Sequence, residues 1–275
     1  MRFVLLHHHI FKNAGSTLDL ALARSFGEAF VEFHPEGSDD GRVVPQKLFQ
    51  FLNDNPQIKA MSSHHFFGRD YELDLDTEAR SKYYFFDFVI LRHPVSRLVS
   101  IYLYYRGLSR GEHPLQVAAL SLPFPGFVEF VLDGHPHFAV NPQVTMFGCR
   151  HYGAVASDHN LDLAKKRLSE VAMLGVVEDY ARSMVVAEYF MQPVFPGMRL
   201  NGAIRNVSVK ESIAGYDGSL KAVEASLGAV LYADLCRLND LDIKLWSWAK
   251  DELIRRTRYV PDFSGRLEEY RRRIS

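Results

Sequence analysis

The sequence is poor in cysteine: among 275 residues only Cys149 and Cys236 occur, and they do not form a C-x-x-C pair. A disulfide framework or a structural zinc site needs more cysteines at closer spacing, so neither is expected. No other segment has the spacing of a metal-ligand motif. We therefore expect no metal at the functional site.

An excess of charge of either sign is also lacking. Lysine and arginine total 32 against 33 for aspartate and glutamate, which leaves a net charge of −1. No global field draws such a chain to nucleic acid or to an anionic membrane, so any anion site must be local. The apolar run at residues 3–6 is too short for a signal-peptide core or a membrane anchor, and we expect a soluble, cytoplasmic protein without stable membrane insertion.

The sequence does contain an alternation of strand and helix patterns. Strands are predicted at residues 3–6, 30–34, 58–64, 83–91 and 171–177. Helices are predicted at 18–23, 45–54, from Pro94 onward, at 161–170 and 179–190, and as a pair within 220–256 that is broken near 239–242. Loops are predicted over much of 107–142. This order predicts an α/β fold with a central, mostly parallel β-sheet flanked by helices, in a single domain spanning 1–275.

Residues 8–17 carry the strongest functional signal. They follow a predicted strand, precede a predicted helix and read His-His-Ile-Phe-Lys-Asn-Ala-Gly-Ser-Thr. Such a junction offers free backbone N–H groups and the positive end of a helix dipole, which favour a bound phosphate or sulfate. The candidate anion-binding residues are Lys12, Asn13, Ala14, Gly15, Ser16 and Thr17. The alternative is a plain turn with a solvated lysine and a hydroxyl-capped helix.

Two features of this segment limit its interpretation. It lacks the first glycine of a Walker P-loop, and its lysine precedes the glycine, so a standard nucleoside triphosphatase fits poorly. The run His7 to His9 does not present three ligands together, because at strand period His7 and His9 share one face and His8 points to the other. We expect these histidines to be strand-end residues near the loop.

A second anion site is indicated at residues 91–100, which read Leu-Arg-His-Pro-Val-Ser-Arg-Leu-Val-Ser. Arg92 stands at a predicted strand end, and Ser100 lies two turns into the next helix. A guanidinium binds a terminal phosphate through a charge-assisted fork, and a serine hydroxyl can add a hydrogen bond. The alternative is a helix start with a solvated arginine.

A candidate proton acceptor lies at residues 63–68, Ser-His-His-Phe-Phe-Gly. The ordinary pKa of histidine, roughly 6.5, suits a general base near neutral pH. At strand period only one of His64 and His65 can face a cleft, and both could be ordinary strand-end residues. Because ligands bind at the carboxyl ends of parallel strands, we expect these residues to converge with Lys12 and Arg92.

Together these segments resemble the sulfotransferases that use 3′-phosphoadenosine 5′-phosphosulfate (PAPS). Residues 9–17 resemble their 5′-phosphosulfate loop, which in the carbohydrate-acting branch reads like His-Ile-Pro-Lys-Thr-Gly-Gly-Thr-Thr, with Phe11 in place of the proline. Residues 91–100 resemble their 3′-phosphate motif, Leu-Arg-Asp/Asn-Pro-x-x-Arg-x-x-Ser, with His93 in place of the acidic or amide residue. Residues 63–68 resemble a Gly-His-x-Pro-Phe-Gly segment and put His64 on the position of the base.

The resemblance implies a bacterial-type PAPS-dependent sulfotransferase with a P-loop-like three-layer sandwich. It implies that residues 12–17, Arg92 and Ser100 hold PAPS, without a metal. It also implies in-line sulfuryl transfer to a hydroxyl of a small-molecule, oligosaccharide or polysaccharide acceptor, with no nucleic acid partner. His64 would take the acceptor proton and Lys12 would stabilise the departing bisphosphate. The alternatives are a P-loop nucleotide-dependent small-molecule kinase and a non-catalytic nucleotide- or glycan-binding protein on the same fold.

Three further segments carry weaker signals. Residues 141–148 resemble an Asn-x-Gln-Thr stretch near the acceptor cleft, or are a helix with an asparagine cap. Residues 205–208 resemble an Asn-Val-Ser/Thr segment that approaches the nucleotide. The basic end at 266–273 is interpreted as a solvated helix tail, and the alternative is a patch that binds an anionic polysaccharide acceptor. The sequence leaves the oligomeric state open.

Overall fold

The protein is described by a computed structural model covering residues 1–34, 42–67, 81–109, 111–151, 153–202 and 219–274. Within these ranges a five-stranded sheet has the order β2-β3-β1-β4-β5, and every paired strand is parallel. The strands are β1 (Arg2–His8), β2 (Phe30–Glu32), β3 (Ala60–Ser63), β4 (Tyr83–Leu91) and β5 (Met173–Val176). The predicted α/β class with a parallel central sheet is confirmed.

Helices surround the sheet. Those in the described ranges are α1 (Gly15–Phe26), α2 (Pro45–Asp54), α3 (Pro94–Gly107), α4 (Pro114–Ser121), α5 (Phe124–Gly134), α6 (Pro142–Val144), α7 (Asp158–Glu170), α8 (Tyr180–Met191), α9 (Leu220–Leu227), α10 (Ala229–Leu238), α11 (Asp240–Thr257) and α12 (Phe263–Ile274). None of them combines the length and the apolar composition that crossing a membrane requires.

The central strand β1 is covered on both faces, which explains why its sequence is apolar without alternation. Val4 and Leu6 point to one face and belong to the buried cluster that includes Leu48 of α2. Leu5 points to the other face and shares a cluster with Leu18 of α1. The chain leaves the sheet at the carboxyl end of β1 and enters α1 from there.

The prediction of loops over much of 107–142 was wrong. Instead of extended loops the segment forms α4 and α5, which pack on α3 through a cluster that includes Tyr102, Leu115 and Phe127. Prolines there suggested loops, but Pro114 opens α4, and α5 also has a proline in its first turn, where the missing N–H removes no helical hydrogen bond.

The C-terminal region also differs from the prediction. Residues 220–256 form three helices rather than two, because Gly228 has a φ of 76° and separates α9 from α10. The basic end is not wholly a solvated tail, since Arg273 of α12 donates to the Glu188 carboxylate of α8 at 2.7 Å. The segment 205–208 and Gly68 lie outside the described residues.

Candidate active site

A cavity of about 230 Å³ lies at the carboxyl ends of β1, β3 and β4. It is lined by His9, Phe11, Lys12, Ala14, Gly15, Ser16, Thr17, His64, Arg92, Ser100, Tyr104 and Val177. The predicted convergence of the three strand ends is therefore confirmed. A larger cavity of about 380 Å³ borders Arg2 and Phe3 at the amino end of β1, the end where parallel sheets do not place their ligands.

The loop between β1 and α1 is tightly curled. Lys12 and Ala14 both have left-handed backbones, with φ of 66° and 61°, and Ala14 immediately precedes α1. At Gly15 an added Cβ would lie 2.0 Å from Cδ2 of His9, so only glycine fits beneath that ring. The curl brings the first turn of α1 to the cavity wall, where the Thr17 N–H donates to the Ala14 carbonyl at 3.0 Å.

Lys12 lines the cavity. Its Nζ lies 4.2 Å from the centre of the Tyr104 ring, within range of a cation–π contact. Burial, together with the nearby positive charge of Arg92, lowers the pKa of Lys12 to about 8. Lys12 is therefore protonated at neutral pH, and an anion in the cavity would be its natural counter-charge.

Two arginines of the second motif fix the loop. Arg92 donates from Nη1 to the carbonyl oxygen of Lys12 at 2.9 Å, and Arg97 donates from Nε to the carbonyl oxygen of Phe11 at 2.9 Å. Arg97 is buried and also donates to the Phe138 carbonyl, whereas Arg92 and Ser100 line the cavity. These hydrogen bonds connect the two predicted anion-binding segments.

Asn13 does not line the cavity, although it belongs to the predicted loop. Its side-chain amide is buried and donates to the Ile90 carbonyl at 2.9 Å and to Oε1 of Gln143 at 2.8 Å. Gln143 also accepts from the Arg92 backbone N–H, donates to the Arg92 carbonyl and donates to the Asp242 carboxylate. One fully buried glutamine therefore connects the lysine loop, the arginine strand end and α11.

Residues 141–148 do not line this cavity, and their resemblance to a stretch near an acceptor cleft stays a prediction. The segment is helical, beginning with α6 and continuing into a π-helix at Thr145–Cys149, but Asn141 makes no capping bond to it. Instead Asn141 donates to the Leu238 carbonyl and accepts from the Asp242 N–H. Gln143 and Asn141 are structural links between the site and the C-terminal helices.

Replacing Gln143 with leucine is expected to lower the free energy of unfolding by about 3 kcal/mol, because buried partners on Asn13, Arg92 and Asp242 lose their hydrogen bonds. It should also weaken anion binding, since both motifs lose their common support. Denaturant titration and calorimetry with a nucleotide bisphosphate measure the two effects. Gln116→Leu is a matched control. Gln116 is also a buried glutamine, but it lies in α4 and its side chain donates to the Ser109 carbonyl. Unchanged ligand affinity in Gln143→Leu would restrict Gln143 to a folding role.

His64 is held in a defined orientation. Its Nδ1 lies 2.7 Å from the carbonyl oxygen of His9, an atom that can only accept, so Nδ1 carries the proton and Nε2 keeps its lone pair. Burial, followed by the neighbouring His9, lowers the pKa of His64 to about 4. The ring is therefore neutral at physiological pH and able to accept a proton at Nε2. His65, the rival candidate, does not line the cavity.

His9 and Asp19 were missed as site residues by sequence reasoning. His9 lines the cavity, and its ring centre lies 4.0 Å from that of His64. Nδ1 of His9 lies 2.8 Å from one Asp19 carboxylate oxygen, and Nδ1 of His7 lies 2.7 Å from the other. His7 and His9 do share a face, as predicted, while Nε2 of His8 lies 2.8 Å from Asp87. An acidic residue inside the apolar stretch of α1 was the signal available for Asp19.

The ligand atoms of His7, His9 and Asp19 all lie within 4.8 Å of one another, a spacing that could hold a metal ion. The sequence patterns did not indicate this group. Both imidazoles direct Nδ1 at the Asp19 carboxylate, so the three side chains form one hydrogen-bonded group.

Comparison with known proteins gives the family of the chain. The model of the sulfotransferase family matches residues 2–245. A protein of Archaeoglobus fulgidus described as uncharacterized is 26% identical over 257 residues, which cover 91% of this chain and 97% of that protein. The parallel sheet flanked by helices defines an α/β sandwich, which is consistent with a sulfotransferase fold. The chain belongs to the sulfotransferase family.

Proposed function

We propose that the protein transfers a sulfuryl group from PAPS to a hydroxyl of a carbohydrate or of a metabolite that carries a saccharide. The observation that carries this proposal is the single cavity that joins the lysine loop, the Arg92–Ser100 pair and His64. PAPS carries negative charge at two separate positions, the phosphosulfate and the 3′-phosphate. The two cationic motifs match that distribution. The saccharide acceptor rests on the resemblance to the carbohydrate-acting branch.

In the proposed donor complex the phosphosulfate lies at the first turn of α1. The backbone N–H groups of Gly15 and Ser16 and the hydroxyls of Ser16 and Thr17 would be the donors there. Lys12 would neutralise charge as the bridging oxygen leaves with the bisphosphate. Arg92 and Ser100 would hold the 3′-phosphate through a fork and a hydroxyl hydrogen bond.

The transfer itself is a single displacement at sulfur. Nε2 of His64 takes the proton of the acceptor hydroxyl, the acceptor oxygen forms a bond to sulfur, and the bond from sulfur to the bridging oxygen breaks. The electron pair of that bond leaves with the 3′,5′-bisphosphate beside Lys12. The product is a sulfate ester, and His64 returns its proton to solvent.

Calorimetric titration with 3′-phosphoadenosine 5′-phosphate tests the donor assignment. We expect binding at pH 7, where Lys12 is protonated. Affinity should fall on going to pH 9, because the pKa of Lys12 is about 8 and the ammonium charge is lost above it. No measurable binding at pH 7, or a requirement for Mg²⁺ and a preference for ATP, would contradict the assignment. A mass-shift screen of saccharides with PAPS then identifies the acceptor.

A further inference from the structure

One face of α3 is turned toward the loop that carries Lys12. Arg97, Ser100 and Tyr104 are spaced by three and four residues, so they lie on the same side of the helix. Arg97 donates to the Phe11 carbonyl oxygen, and Ser100 and Tyr104 line the cavity. The proposed transfer gives Tyr104 no role.

The backbone of Lys12 is fixed, but its side chain has to be ordered separately. The Lys12 carbonyl oxygen accepts from Arg92 at 2.9 Å, and the side chain of the next residue, Asn13, donates to the Ile90 carbonyl. The lysine side chain has four rotatable bonds, and their freedom is lost when the ammonium group meets an anion. A contact that holds the ammonium group beforehand reduces that entropic cost.

The ring of Tyr104 supplies such a contact. Nζ of Lys12 lies 4.2 Å from the centre of this ring and 5.9 Å from the centre of the Phe11 ring. Phe11 and Tyr104 meet edge to face, with ring centres 5.6 Å apart and ring planes at 84°. The Tyr105 ring centre lies 5.3 Å from that of Tyr104. Packing against these two neighbours therefore determines where the Tyr104 ring lies.

An aromatic ring holds an ammonium group without neutralising it. Burial, and then the charge of Arg92, lower the pKa of Lys12 to about 8, and no carboxylate among the described residues contributes to that pKa. A carboxylate partner would compete with the donor anion for the ammonium group. The ring attracts the cation through its quadrupole, so the positive charge and the N–H groups that point away from the ring stay available to an anion.

We infer that Tyr104 is a positioning residue for Lys12, and that the face of its ring holds the ammonium group at the place where the phosphosulfate binds and the bisphosphate departs. The inference rests on the proposed function and adds a residue of α3 to the sulfuryl end of the site. Tyr104 makes and breaks no bond, and its hydroxyl takes no part. The ring is therefore the group that a test must remove.

Nuclear magnetic resonance of protein labelled with carbon-13 at lysine Cε tests the contact without any ligand. Protons above an aromatic ring are shifted upfield by its ring current, so the Lys12 ε-methylene signal should lie upfield of the other lysine signals. Lys12→Gln identifies this signal by its absence. The signal should move to the ordinary lysine position in Tyr104→Leu and keep its upfield position in Tyr104→Phe.

Calorimetry with 3′-phosphoadenosine 5′-phosphate measures what the contact contributes to binding. Tyr104→Leu should bind about tenfold more weakly than the wild type, and Tyr104→Phe within about twofold of it, because phenylalanine keeps the ring. Tyr84→Leu is the matched control, since it removes an exposed tyrosine of β4, and it should match the wild type. Thermal unfolding checks that each variant is folded.

A double variant tests whether Tyr104 acts through Lys12. Lys12→Gln and Lys12→Gln/Tyr104→Leu are compared by titration followed with nuclear magnetic resonance, which can measure weak binding. Once the ammonium group is absent, removal of the ring should weaken binding no further.

The outcomes separate this inference from the donor assignment. If the wild type does not bind the bisphosphate, the donor assignment fails, while the Lys12 signal still reports whether Tyr104 holds the ammonium group. An unshifted Lys12 signal in the wild type would overturn the inference, and so would equal binding by Tyr104→Leu and the wild type. A loss on removing the ring that is just as large in Lys12→Gln would also overturn it, because Tyr104 would then contact the ligand itself.

Discussion

Arg92→Ala is expected to weaken the binding of 3′-phosphoadenosine 5′-phosphate by at least about 100-fold. The guanidinium lines the cavity and would form a charge-assisted fork with the 3′-phosphate, and loss of such a contact costs about 3 kcal/mol. The side chain also donates to the Lys12 carbonyl, so its removal loosens a loop that holds two left-handed residues. Calorimetric titration of both proteins measures the change.

A second ligand separates these two effects. Adenosine 5′-phosphate lacks the 3′-phosphate, so the wild type should prefer the bisphosphate and Arg92→Ala should lose most of that preference. Arg92→Lys is the matched control, because it keeps the charge but not the planar fork, and it should recover only part of the affinity. Equal losses for both ligands would mean that Arg92 acts through the loop and does not contact the 3′-phosphate.

The parts of the fold that local patterns determine were predicted well. The strand predicted at 83–91 and the helix predicted at 45–54 agree with β4 and α2, because a continuous apolar run and a proline-initiated amphipathic segment are complete within a few residues. The prediction of loops over 107–142 was wrong because the local pattern there is ambiguous. Proline occurs both in loops and in the first turn of a helix, and only the packing of this segment against α3 decides between the two structures.

The site was predictable where a motif is contiguous and not where contacts join distant residues. The convergence of residues 12–17 and 92–100 could be predicted because each segment is contiguous and follows a parallel strand, and their anion-binding roles stay predictions. The hydrogen bond between Asn13 and Gln143 joins residues that are 130 positions apart in the sequence. The pairing of His9 with Asp19 exists because α1 folds back over the end of β1, and no spacing rule in the sequence states which face of α1 meets that strand.

His64→Ala is expected to reduce turnover by about 10²–10⁴-fold, the range for loss of a general base, while binding of the bisphosphate changes little. His64 would accept the proton of the acceptor hydroxyl, so its loss affects the chemical step rather than the donor site. Single-turnover assays with saturating PAPS measure the first quantity and calorimetry the second. His65→Ala is the paired control for the rival histidine, and a loss of turnover there instead would move the base to His65.

The pH profile gives an independent check on this assignment. Burial lowers the pKa of His64 from 6.5 to about 4, so the neutral, proton-accepting ring persists well below the pH at which an ordinary histidine becomes charged. The negative charge of bound PAPS acts in the opposite direction and raises that pKa. The acid limb of kcat/KM for the acceptor, measured at saturating PAPS, should therefore fall between pH 4 and 6.5 and should be absent from the residual activity of His64→Ala. An acid limb that persists unchanged in His64→Ala would assign the titration, and the proton transfer, to another group in the cavity.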